Sequence, residues 1–174
     1  MAYTSSQVVQ AVPTGINSAL VLISSGTLSG TSTVVNNAFS ATYDAYRINI
    51  FDCIGASGSP ILSLQLGATT SGYSYSQMYC NVTTTWTIAG AGSTAAFSCG
   101  QADSTDKSNF IIDMLNPFKT ENTFFNCFKT GGTGNNDQRI GKLTDTTSYT
   151  AFTFTNNVAV AMSGSFKIYG YTNS

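Results

Sequence analysis

The chain has 174 residues, of which 9% are charged, and its seven basic and eight acidic side chains leave a formal net charge of -1. This length fits one domain with a sizeable core, and without a run of basic residues there is no footprint for phosphate-driven binding to nucleic acid. Histidine is absent, which removes the Ser-His-Asp and Cys-His nucleophile arrangements together with the commonest metal ligand.

Residues 1–17, MAYTSSQVVQAVPTGIN, are polar and hold Pro13 and Gly15. They have neither a basic n-region nor an apolar h-region, so the expectation is a chain made in a cytoplasm. The sparse apolar edge formed by Tyr3, Val8, Val9, Val12 and Pro13 is the pattern of an extended arm that orders on a partner. Residues 18–174 then read as one β domain. The first clear strand is Ala19 to Ile23, too short an apolar run to cross a membrane.

From there the period is two. In YRINIFDCI, Tyr46, Ile48, Ile50 and Ile54 share one face and Arg47, Asn49, Phe51 and Cys53 the other, as a half-buried strand requires. ILSLQLG aligns Leu62, Leu64 and Leu66. GYSYSQMY places Tyr73 and Tyr75 on one face with Tyr79 nearby. These are either ordinary strand tyrosines divided between core and surface, or a contact face for a glycan or another subunit.

TTTWTIA alternates around Trp86 and Ile88, NFIIDML aligns Phe110, Ile112 and Met114, and NTFFNCFKT is read with Phe124 and Phe128 on one face. YTAFTFT contributes Phe152 and Phe154, and GSFKIYGY contributes Phe166 and Ile168, bracketed by Gly164 and Gly170. Turn chemistry such as GASGSP, GATTSG, AGAGS and TGGTGNND separates the runs. About ten strands and no helix are expected.

The four cysteines, Cys53, Cys80, Cys99 and Cys127, are 27, 19 and 28 residues apart. No paired spacing marks a metal site, and they read as buried, reduced thiols. One glutamate and seven aspartates remain, with Asp103 and Asp106 read as solvated turn residues. No spacing pairs two carboxylates across a sugar, so a glycan-cleaving enzyme is disfavoured. GGTGNND fits neither a phosphate loop nor a calcium loop and reads as a hairpin turn. No enzyme activity, metal or cofactor is expected.

SALVLISSGTLSG, TYDAYRINIFDCI, LSLQLG, FIIDMLNPF, YTAFTFT and the closing GSFKIYGY, in this order over residues 18–171, resemble a family of virion structural proteins of tailed bacteriophages, especially marine and cyanobacterial ones. The resemblance implies a jelly-roll-like antiparallel β-sandwich with an N-terminal arm, and no catalytic residues. It also implies a place on the virion as a capsid decoration or cement protein, often a trimer, bound to the major capsid protein or other virion proteins. The alternative it implies is a tail fibre or receptor-binding module touching a host glycan. In a jelly roll, long-range pairing sets the sheet order, so the last strand is expected in the middle of a sheet between early strands.

Overall fold

The computed structural model of the protein describes residues 19–81, 85–132 and 135–172. The proposed arm, with Tyr3, Val8, Val9, Val12 and Pro13, lies outside the described residues. Among these residues there are twelve strands and no helix. They are β1 (Leu20–Leu28), β2 (Thr33–Val35), β3 (Ala45–Gly55), β4 (Ile61–Leu66), β5 (Tyr73–Asn81) and β6 (Trp86–Thr94). The second half holds β7 (Phe97–Gln101), β8 (Ser108–Leu115), β9 (Thr123–Gly131), β10 (Asn135–Leu143), β11 (Phe152–Asn156) and β12 (Met162–Tyr171).

Two antiparallel sheets pack as a sandwich: an eight-stranded sheet ordered β1-β12-β3-β8-β9-β10-β5-β6 and a four-stranded sheet ordered β2-β11-β4-β7. Four pairings run from the chain ends inward: β1 with β12, β2 with β11, β3 with β8 and β4 with β7. This is one long hairpin rolled up so that its successive segments alternate between the sheets, which is the jelly-roll arrangement. Two hairpins inserted in the roll, β5-β6 and β9-β10, both join the larger sheet and extend it beyond β8. The last strand, β12, lies between β1 and β3, as the sequence led one to expect.

The core follows from the alternation. Tyr46, Ile48 and Ile50 of β3, Phe110, Ile112 and Met114 of β8, and Phe166 and Ile168 of β12 face Leu62, Leu64 and Leu66 of β4 and Phe152 and Phe154 of β11, and all are buried. Phe154 meets Phe166 across the two sheets with ring centroids 5.5 Å apart, and Phe39 stacks on Phe152 at 5.6 Å. The Tyr46 hydroxyl, buried with this layer, accepts from the Ser40 amide and donates to the Ser40 carbonyl, each at 2.8 Å. Its polar tip is thereby satisfied.

Two face assignments change. In β3 the register shifts between Ile50 and Cys53, and Asp52 takes φ 54°. This bulge turns Cys53 into the core and leaves Ile54 half-buried, reversing the simple alternation. Gly164 on the neighbouring β12 has φ 144°, and a Cβ there would lie 2.9 Å from the Phe51 carbonyl oxygen, so the bulge needs a glycine opposite it. Gly170 has a different reason, since the Tyr43 ring lies directly on it, 2.4 Å from where a Cβ would stand.

In β9 the phase is inverted: Phe125 and Cys127 are buried, whereas Phe124 and Phe128 point outward. Trp86 and Ile88 also face outward, on the edge strand β6. No disulfide joins the four cysteines; Cys53, Cys99 and Cys127 are buried and Cys80 is half-buried. Asp103 is buried rather than solvated, and its carboxylate accepts from the amide and hydroxyl of Thr105.

Candidate functional site

The small sheet ends at β7, whereas the large sheet continues through β9, β10, β5 and β6. These four strands form a wing that overhangs the sandwich and has two faces of different chemistry.

On the outer face the cross-strand registers align Ile111, Phe128, Gln138, Met78 and Ile88 in one row across β8, β9, β10, β5 and β6. Leu115 and Phe124 stand opposite each other in a parallel row, with Ile140 and Trp86 nearby. All of these large apolar side chains are exposed, Ile88 by 80% and Trp86 by 61%. Among the described residues of the wing strands, Lys142 is the one charged side chain on this face. A contiguous exposed apolar patch of this kind is the sort of surface at which proteins associate.

The inner face grades from apolar to charged. At one end Phe97 of β7 stacks on Phe125 with ring centroids 4.7 Å apart and meets Tyr73 edge-on at 4.9 Å. Tyr73 is fully buried here, and its hydroxyl accepts from the Leu66 amide at 2.8 Å and donates to the Thr69 carbonyl at 3.2 Å. Burial holds its phenol above the ordinary range. Of the three tyrosines singled out from the sequence, Tyr73 is therefore a core residue.

Tyr75 and Tyr79 do reach a surface. Together with Gln77 they line a cleft of about 220 Å³ whose other walls are Asp137 and Arg139 of β10 and the Ile61–Gln101 pair at the end of the small sheet. Arg139 and Asp137 are both buried, and Arg139 Nη2 donates to Asp137 Oδ2 at 3.1 Å. Arg139 Nη1 donates to Ser98 Oγ of β7, and the guanidinium carbon lies 5.7 Å from the centroid of the Tyr75 ring. Asp137 Oδ1 and Arg139 Nε have no hydrogen-bond partner among the described residues. Nearby Lys129 is buried as well, and desolvation lowers its pKa, although Asp137 and Asp103 favour its charge.

Tyr75 and Tyr79 were legible in the sequence through their shared phase. Gln101, Asp137 and Arg139 had no such signal, because only the pairing of β10 with β5 and the packing of β7 bring them to the tyrosines. Among the described residues no group of three or more His, Cys, Asp or Glu side chains is placed to hold a metal ion. Comparison with known families, with curated proteins and with solved structures gives no match to this chain.

Proposed function

We propose that the protein is a non-enzymatic virion structural protein of a tailed bacteriophage, a capsid decoration or cement protein that associates as a trimer and binds the major capsid protein. The observation that carries this reading is the exposed apolar face of the wing and the adjoining β8, where Ile111, Phe128, Met78 and Ile88 align across strands. A nearly uncharged surface does little to keep copies apart, and burying such a patch between copies is favourable. In this reading the wing joins the copies and residues 1–17 reach the shell. The order of strand phrases, which resembles that of phage structural proteins, adds the particle as the setting.

The cleft behind the wing favours a second reading, a tail fibre or receptor-binding module that contacts a host glycan. Its tyrosine, glutamine and aspartate side chains suit a polar ligand better than another protein subunit. Quantitative mass spectrometry of purified particles separates the two. Hundreds of copies per particle support the shell assignment, a few to some tens support the tail, and absence of the chain from purified particles contradicts both.

A further inference from the structure

We infer that the cleft between β5, β10 and the end of the small sheet binds a single ring of a neutral saccharide. The inference rests on the glycan-contact reading given above, and it holds for either position on the particle.

The first argument is shape. At about 220 Å³ the cleft is smaller than the roughly 300–1,000 Å³ of sites for drug-sized ligands, so it matches one sugar ring rather than a chain. In the strand register Tyr75 lies opposite Gly141, Gln77 opposite Arg139 and Tyr79 opposite Asp137. The tyrosines are therefore four residues apart along the strand, about 13 Å, with the carboxamide and the guanidinium between them. A ring placed there has aromatic surface beside its C–H face and polar groups along its hydroxyl edge.

The second argument is charge. Arg139 is committed to Asp137 and to Ser98, and nearby Lys129 is balanced by Asp137 and Asp103, so two cations face two carboxylates and the cluster offers no uncompensated cation for a phosphate or a carboxylate. What it offers is alternation: a carboxylate accepts, a guanidinium donates, and the amides of Gln77 and Gln101 do both. Vicinal hydroxyls, each a donor and an acceptor, fit that set.

The third argument is independent of both. Asp137 and Arg139 are 4% and 5% exposed, and each keeps one polar atom without a partner among the described residues. Buried polar atoms are ordinarily paired, and leaving one unpaired is costly. Both side chains line the cleft, but the two unpaired atoms are themselves enclosed, so completing them requires the side chains to turn toward a hydroxylated ligand as it binds.

The test is an NMR titration of the full chain with glucose, galactose, mannose, N-acetylglucosamine and N-acetylgalactosamine in turn. The expected result is saturable shifts of the Gln77 and Gln101 side-chain amides and the Ile61 methyls with at least one sugar. Tyr79→Ala and Gln77→Ala should each weaken that sugar by about tenfold, in line with loss of one stacking or hydrogen-bond contact. Ile88→Ser, on the outer face, should leave it unchanged. No shift with any of the sugars at tens of millimolar overturns the inference. So does binding that Ile88→Ser weakens as much as Tyr79→Ala, or a preference for sialic acid or inorganic phosphate over the neutral sugars. The copy number on the particle is measured separately, so failure here leaves the virion assignment standing or falling on its own result.

Discussion

The rolled half of the molecule and its wing distribute charge differently. In the roll, the large sheet turns Ile48, Ile50, Phe110 and Ile112 inward. Its outer face carries Arg47 bound to Asp113 through two hydrogen bonds at 2.7 and 2.8 Å, with the Tyr171 hydroxyl donating to the same carboxylate at 2.8 Å. The hydrogen bond to Asp113 raises the Arg47 pKa. In the wing, Phe124, Phe128, Ile88 and Trp86 are outside, while Lys129, Asp137 and Arg139 are inside. The roll is organised for its own stability, whereas the wing places costly groups where folding gains least from them. Such local departures from consistent patterning concentrate where a protein binds something.

The largest expected effect lies in the roll. Phe152 is fully buried and stacks on Phe39, so Phe152→Ala should cost about 3–5 kcal/mol, read from urea unfolding. Phe128→Ala, on an exposed ring, should change stability by about 0.5 kcal/mol or less in the separated chain. Equal losses at the two positions would erase the contrast between the regions.

Next comes the wing's buried pair. Asp137→Ala leaves the Arg139 guanidinium buried without its carboxylate and should cost about 3 kcal/mol, whereas Asp137→Leu with Arg139→Leu should recover most of that loss. A double variant as unstable as the single one would mean that the pair itself stabilises the fold, and that the polarity of the cleft is no sacrifice.

A further test is the response to alkali. Burial pushes the Cys53 thiol up to about 12 from the ordinary 9.0, with neighbouring Cys99 adding to it, and burial raises Cys127 and Tyr73 above their ordinary values as well. A group whose folded pKa is raised contributes stability that is complete below its unfolded pKa and is lost as pH climbs toward the folded one. Lys129, whose pKa is lowered, acts in the opposite sense just below its ordinary 10.5, so stability gains there as pH rises. Burial raises Tyr149 and Tyr171 as well, so five raised groups oppose one lowered group, and the melting temperature should fall as pH rises from 9.0 toward about 12. Cys53→Ala combined with Cys127→Ala should flatten that fall, and an unchanged slope would remove the thiols from the account.

The same contrast explains what could be read from the sequence. YRINI, ILSLQL and FTF have one apolar phase and declared their buried faces directly, and in FIIDM the alternation of Phe110, Ile112 and Met114 outweighs the single outward Ile111. NTFFNCFKT holds phenylalanines in both phases, and alternation alone cannot choose between Phe125 and the pair Phe124 and Phe128. The bulge at Asp52 depends on its neighbour Gly164 in β12, more than a hundred positions away in the chain. Strands β2 and β7 are short and take their pairing from the roll, and the polar β10 takes its pairing from β9 and β5. The cleft was half legible: Tyr75 and Tyr79 announced a face, but its charged wall arrives through a pairing of β10 with β5 that no local pattern encodes.

The central claim, that the outer face of the wing is where copies of the chain meet, is tested most directly by light scattering on the purified full chain and on the double variant Ile88→Asp, Phe128→Asp. The account predicts a trimer for the parent chain and a monomer for the variant, with the far-ultraviolet circular dichroism of the two superimposable. A parent chain that stays monomeric at high micromolar concentration, or a folded variant that remains trimeric, would contradict it.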